Sequence, residues 1–196
     1  MTTKRLIRIS YFTMLTIIGG LLRLPIPAFP NVMFSLQTLF VIMSGLILGP
    51  KDALISQFAY MLLGLIGVPV FTAGGGLDYV FKPSFGYILS FPFAAFLTGS
   101  LKNRFRTLSV FKLFFCAFCG LLLNYTVGMT YQVFAVWLFV KSTLAAAFVS
   151  LTTLPFLFIK DAVMLYLVCL IYPRVTPLIG IESPPFEKKD NGEIAV

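Results

Sequence analysis

The chain has 196 residues, of which 59% are hydrophobic and 11% charged, with a mean hydropathy of +0.96 and a formal net charge of +8. Soluble domains carry about 25% charged residues, so a water-soluble fold of this size is excluded. Histidine is absent, which removes histidine-based nucleophilic catalysis, haem His ligation and most zinc sites, and no G-x-x-x-x-G-K-[ST] run offers a phosphate loop for ATP.

A membrane span needs about 20 apolar residues, so this length caps the architecture at six or seven short-looped helices in one domain. Lys4, Arg5 and Arg8 precede a first apolar run that continues to about Leu22 and stops at Arg23-Leu-Pro-Ile-Pro, because closely spaced prolines cannot continue a helix. The exit lacks a small-x-small cleavage site, so the run reads as a retained helix. A second run, about Phe34 to Leu48, is closed by Gly49-Pro50-Lys51-Asp52, a tight hairpin into a third run from about Ala53 to Phe71. Residues Thr72 to Gly86 contain three consecutive glycines, too many for a helix, yet are too apolar for an unattached linker. Such a loop covers something. A fourth span runs from about Tyr87 to Leu101 and a fifth from about Val110 to Phe134, with Trp137 marking an interface. Lys141 to Leu154 predicts a short interfacial or re-entrant helix, and the last span covers about Phe156 to Tyr172.

The expected fold is therefore all-α: an integral membrane bundle of six transmembrane helices with a short interfacial helix before the last span. Residues 1–175 form a single substrate-binding domain, and 176–196 a polar cytoplasmic tail. The basic residues sit at span ends rather than in a polar patch interleaved with aromatics, which argues against nucleic acid. Six spans put both termini on one side, and the positive-inside rule makes that side the cytoplasm of a multi-pass cell-membrane protein. Lys4, Arg5, Arg8, Lys51, Lys102, Arg104, Arg106, Lys112, Arg174, Lys188 and Lys189 then face inward, eleven of the 15 Lys and Arg residues. Arg23, Lys82, Lys141 and Lys160 fall on the outer side, against the trend. An anionic ligand would account for them.

Ile159-Lys160-Asp161 opens the last span. An ionisable pair at the membrane boundary costs a few kcal/mol even on insertion scales and is a functional candidate by default. The competing account has Asp161 capping the helix while Lys160 snorkels to the interface. Gln37 is costly in lipid but can donate and accept inside a bundle, either across helices or to a ligand. Gln57, Tyr60, Gly64 and Gly67 share one helical face, and Cys116, Gly120, Asn124 and Gly128 repeat every fourth residue; both ridges mean close helix packing first. Asn124 and Tyr131 are the members nearest a site. Tyr79, Lys82 and Tyr87 frame the glycine-rich loop and suit a lid over an apolar ligand with an acidic end, whereas Arg23 fits an interface marker or a carboxylate partner. Cys116-x-x-Cys119 lies in an apolar run and reads as packing.

Arg23-Leu-Pro-Ile-Pro, Phe34-Ser-Leu-Gln-Thr-Leu-Phe, Gly45-Leu-Ile-Leu-Gly-Pro, Gly64-Leu-Ile-Gly-Val-Pro-Val-Phe and Lys82-Pro-Ser-Phe-Gly-Tyr together resemble the BioY family, the biotin-specific S components of energy-coupling factor (ECF) transporters. The match runs in order across about Leu22 to Gly99 and loosens beyond, where the Leu154-Pro155-Phe156 turn and Asp161 carry it. The resemblance implies a six-helix S component with an outward-facing pocket closed by the loops after the first and third spans. It implies biotin as ligand, no cofactor, and membrane lipid, a transmembrane coupling subunit and two ABC-type ATPase subunits as partners. Asp161 and Gln37 would meet the ureido edge of biotin, and Lys82, Arg23 or Lys160 its carboxylate. Two departures stand: Met164 occupies the position of a family lysine, and Ala73 and Gly74 occupy that of an early loop polar residue. The alanine-x-x-x-alanine docking stretch of such components is replaced by Ser10, Thr13, Met14 and Ile17. Rival readings are an S component for thiamin, riboflavin or a lipoate-like acid, and an intramembrane enzyme using Asp161 and Lys160 as an acid-base pair.

Overall fold

A computed structural model describes residues 2–26, 29–138, 154–178 and 185–186, with backbone alone at 23–26, 29–34, 175 and 177–178. Among these residues lie six α-helices: α1 (Thr3–Leu21), α2 (Gln37–Leu48), α3 (Pro50–Leu65), α4 (Phe85–Lys102), α5 (Val110–Leu138) and α6 (Leu154–Leu178). The interfacial helix expected between 141 and 154 lies outside the described residues, apart from Leu154 itself. Two helices, Val110–Leu138 and Leu154–Arg174, are long and apolar enough to cross a membrane by length and composition.

One departure from an all-helical reading is a two-stranded antiparallel ribbon of β1 (Arg23–Ile26) and β2 (Phe29–Ser35). Arg23 faces Ser35 across it, and the pairing slips between Pro25 and Ile26. The prolines that end α1 do not leave an open loop, because the chain between them and α2 pairs with itself and meets the backbone donors helix would have satisfied. Three helix ends also differ from the apolar runs. The second run begins at Phe34, but α2 starts only at Gln37, since β2 claims the residues before it. Helix α3 stops at Leu65 rather than near Phe71, because Gly67 takes a positive φ of 113° and Pro69 follows. Helix α6 continues past Pro173 to Leu178.

The helices meet on small residues. A Cβ at Gly45 of α2 would fall on the Ala95 carbonyl oxygen of α4, and one at Gly120 of α5 on the Thr98 hydroxyl. These contacts hold α2, α4 and α5 at close range, as transmembrane packing requires where no hydrophobic drive separates helix from lipid. We predict that Gly45→Val lowers stability by about 2 kcal/mol or more, because a backbone carbonyl cannot yield cheaply. Thermal unfolding in detergent reads it, and an unshifted midpoint contradicts it.

Two buried clusters divide the interior: Ile42, Leu46, Leu113, Leu121 and Leu165 between α2, α5 and α6, and Tyr60, Phe71, Tyr79 and Phe91 between α3, the following loop and α4. Polar side chains tie α1 to its neighbours. Thr13 Oγ1 donates to the Ser56 carbonyl at 3.0 Å, and Gln57 Nε2 donates to Thr16 Oγ1 at 3.1 Å and Ser44 Oγ at 3.2 Å. Thr13 is thus turned inward, while Ile7, Tyr11 and Met14 leave an exposed apolar face on α1. Phe156, Ile159, Val163 and Ile171 do the same on α6. At the far end of the bundle, the Leu108 N–H donates to the Pro185 carbonyl at 2.9 Å, so part of the expected tail docks on the loop between α4 and α5.

Candidate binding site

Asp161 stands about two turns inside α6. A residue there cannot cap the helix, because the unpaired N–H groups belong to the first turn. The carboxylate is instead buried, at 5% exposure, and faces the start of α2. Lys160 Nζ lies 2.6 Å from Asp161 Oδ1 and donates to the Ser35 carbonyl at 2.8 Å. The Tyr125 hydroxyl of α5 donates to Asp161 Oδ2 at 2.9 Å, and Thr38 of α2 stands near the same carboxylate. Neighbours in sequence do not share a helix face. Lys160 meets Asp161 because both bend toward the same backbone, where β2 ends and α2 begins. Two opposite charges here sit in apolar surroundings, and only this full set of partners makes the burial tolerable.

The start of α2 also joins this cluster to a second polar string. Gln37, one residue before Thr38 and 4% exposed, donates its Nε2 to the Tyr60 hydroxyl of α3 in a short hydrogen bond. Tyr60 donates to the Val70 carbonyl at 3.2 Å and packs edge-on against Phe71, whose ring centre lies 4.6 Å from that of Tyr79. A side chain at Gly64 would collide with the Phe71 ring, so this glycine seats the loop on α3. Lys82 donates to the Ala73 carbonyl at 2.9 Å and lies 4.9 Å from the Tyr79 ring centre, closing the string at an exposed cation.

A third group lines the α4–α5 seam. Tyr87 stacks edge-on against Tyr125 at 5.9 Å and donates to Gln132 Oε1 at 3.1 Å. Asn124 is 1% exposed and accepts from Ser90 through Oδ1, while its Nδ2 has no hydrogen-bond partner among the described residues. Buried side-chain amides are nearly always satisfied, so a free donor in this seam is a mark of an incomplete site. Tyr131 donates instead to the Val80 carbonyl in a short hydrogen bond that clips the loop to α5.

Of the residues expected from sequence, Asp161, Lys160 and Gln37 converge on the start of α2. Tyr79 and Lys82 connect to them through Tyr60 and Phe71, and Tyr87 through Tyr125. Asn124 precedes Tyr125 but faces α4. The backbone of Arg23 lies opposite Ser35; its side chain is outside the described residues, as is Lys141. Tyr125 and Thr38 were not among the expected site residues, although each is the chain neighbour of one that was. Tyr60, expected as packing, is also the hydrogen-bond partner of Gln37.

The BioY family model matches residues 1–180 of the chain. A probable biotin transporter BioY of Bacillus subtilis is 32% identical over 185 residues, covering 93% of this chain and 96% of that protein. Its counterpart in Lysinibacillus sphaericus is 36% identical over 149 residues, covering 75% and 74%. Among solved structures, the S-component for biotin from an ECF-type ABC transporter superposes with a TM-score of 0.74 at 29% identity, covering 90% of this chain and 95% of that one. With the family model spanning nearly its whole length, the chain belongs to the BioY family.

Proposed function

We infer that this chain is the substrate-specific S component of a biotin uptake transporter of the ECF type. The observation that carries the reading is the buried Asp161–Lys160–Tyr125 cluster at the start of α2, inside an apolar bundle, in a member of the BioY family. A carboxylate offers about four acceptor positions. Lys160 and Tyr125 take two of them, leaving room for a ureido N–H of biotin. Gln37 supplies an amide at the same helix end, and the Nδ2 of Asn124, unpartnered among the described residues, supplies a donor from the neighbouring seam. Tyr87, Tyr79 and the rings between them give the apolar surface for the fused bicycle. Lys82, on the loop side, meets the valerate carboxylate, with Arg23 and Lys160 as further cations.

The shortness of α2 supports placing the site here. Its 12 residues cover about 18 Å of a hydrocarbon core of about 30 Å, and the chain before it is a β ribbon rather than helix. Non-helical backbone at membrane depth is tolerated where it is buried in protein or lines a cavity. Six spans with both termini in the cytoplasm then put the ribbon, the glycine-rich loop and the Asp161 cluster on the outer side. Biotin enters from outside, loop closure occludes it, and a coupling subunit with two ATPase subunits drives its release inward.

The test is thermal protection of the purified protein. Saturating biotin raises the unfolding temperature by several degrees, as expected for a ligand present at about 100 times its Kd. Thiamin, riboflavin and lipoate, tried in the same panel, leave it unmoved. Protection by one of these and not by biotin would reassign the substrate.

A further inference from the structure

The α4–α5 seam holds a buried amide that helix packing satisfies at one end. Asn124 of α5 is 1% exposed, and its Nδ2 has no hydrogen-bond partner among the described residues. Ser90 Oγ of α4 lies 2.5 Å from Asn124 Oδ1 and 2.7 Å from the Tyr87 carbonyl. A hydroxyl has one proton, and the shorter contact takes it. Ser90 thereby fixes Oδ1 as the acceptor and leaves Nδ2 as the open end. A buried donor with nothing to receive it is worse than an apolar side chain in the same place, so this nitrogen calls for an acceptor.

The neighbouring turns place that open end. One turn before Asn124 on the same ridge, a Cβ at Gly120 would lie 3.0 Å from both the Ala94 carbonyl oxygen of α4 and Ile42 Cδ1 of α2. The ridge therefore points at the junction of α2 and α4. One turn nearer the start of those two helices, α5 presents Asn124, α4 presents Ser90, and α2 presents Thr38 beside Gln37. This is the end of the bundle where Lys160 and Tyr125 meet Asp161. Tyr125, about 100° round α5 from Asn124, donates to Asp161 Oδ2. Successive residues of one helix thus serve α6 and the α2–α4 junction.

A ureido ring carries two N–H donors and one carbonyl acceptor, and a site that buries it has to meet both kinds. Ionised Asp161 can only accept. The Tyr125 hydroxyl gives its proton to that carboxylate, and Gln37 donates through Nε2 to Tyr60. We propose that Asn124 Nδ2 donates to the ureido oxygen of biotin, so that Asp161 reads the N–H edge and Asn124 the carbonyl of the same ring, with Ser90 as the positioning residue that keeps the donor end open. This role rests on the biotin reading and gives it a specificity-determining atom.

2-Iminobiotin separates the two claims, because it keeps the N–H edge and replaces the ureido oxygen with a protonated nitrogen, a donor. Isothermal titration of the full chain in detergent compares both ligands on the wild type, Asn124→Leu and Asn124→Ala, with the weaker ligand read by competition against the stronger. The wild type prefers biotin. Asn124→Leu loses about 30-fold in biotin affinity, while its affinity for 2-iminobiotin holds or rises. Asn124→Ala, which cannot overpack the seam, gives the same ordering. Biotin bound by both variants as tightly as by the wild type, or both ligands weakened alike, overturns the role of Asn124 and leaves the biotin reading standing. A wild type that prefers 2-iminobiotin also overturns it, by showing the amide oxygen at the ring. A wild type that binds neither ligand removes the biotin reading itself, and the role of Asn124 with it.

Discussion

Asp161→Asn lowers biotin affinity by roughly 100-fold, about 3 kcal/mol, as truncation of a buried hydrogen-bonded charge pair does. The chemistry is specific. The carboxylate accepts from Lys160 and Tyr125 and has capacity left for a ureido N–H. An amide keeps the shape but replaces one acceptor oxygen with a donating NH2, so it loses about half the acceptor positions that Lys160, Tyr125 and a ureido N–H would share. Isothermal titration of the purified variant checks this. Wild-type affinity in a folded Asp161→Asn protein would remove the carboxylate from the site.

Lys160→Met has the largest expected effect on stability, a loss of about 3–5 kcal/mol, because it strands a buried carboxylate without its counter-charge. The loss is reversible by design. Replacing both members, in Lys160→Met/Asp161→Leu, removes the desolvation cost together with the attraction, and the double variant recovers most or all of the stability. Its biotin binding stays lost. Thermal unfolding of the three proteins side by side reads the first claim, and titration of the double variant the second. A double variant as unstable as Lys160→Met alone would mean that the pair holds the fold and is not a polar site tolerated within it.

How much of this was legible from sequence depends on the kind of signal. Apolar runs bounded by prolines and basic residues placed α1, α4 and α5 within a few residues, since burial in lipid leaves little choice of residue type. The β ribbon was not legible. Its strands carry Pro25 and Pro30 and show no alternation, and a short apolar run with proline looks the same as a loop covering a bundle. Asp161 and Lys160 announced themselves, because charge within an apolar span is rare and costly. Their geometry did not, since the capping account fitted the sequence equally well until α6 was seen to begin at Leu154.

Tyr125 was hidden for a related reason. A tyrosine in an apolar helix has the same pattern whether its hydroxyl meets a carboxylate or a membrane interface, and only the packing of α5 on α6 tells which. The burial of Lys102 was not legible either. A charge at a helix end speaks to a side of the bundle and not to depth, and the last turn of α4 is closed over by α2 and α6, with a lysine stem long enough to lie inside while its ammonium finds two acceptors. The small-residue ridge of Cys116, Gly120, Asn124 and Gly128 was read as packing, and all four are buried. One of them, Asn124, has an Nδ2 donor with no partner among the described residues, which packing alone leaves unexplained.

A crystal structure of the protein with biotin bound tests the central claim most directly. The account predicts the ureido ring within hydrogen-bond distance of Asp161 and on the same side of the bundle as Gln37, with the valerate chain leading toward Lys82. A biotin molecule seated elsewhere, making no hydrogen bond to Asp161, would contradict it.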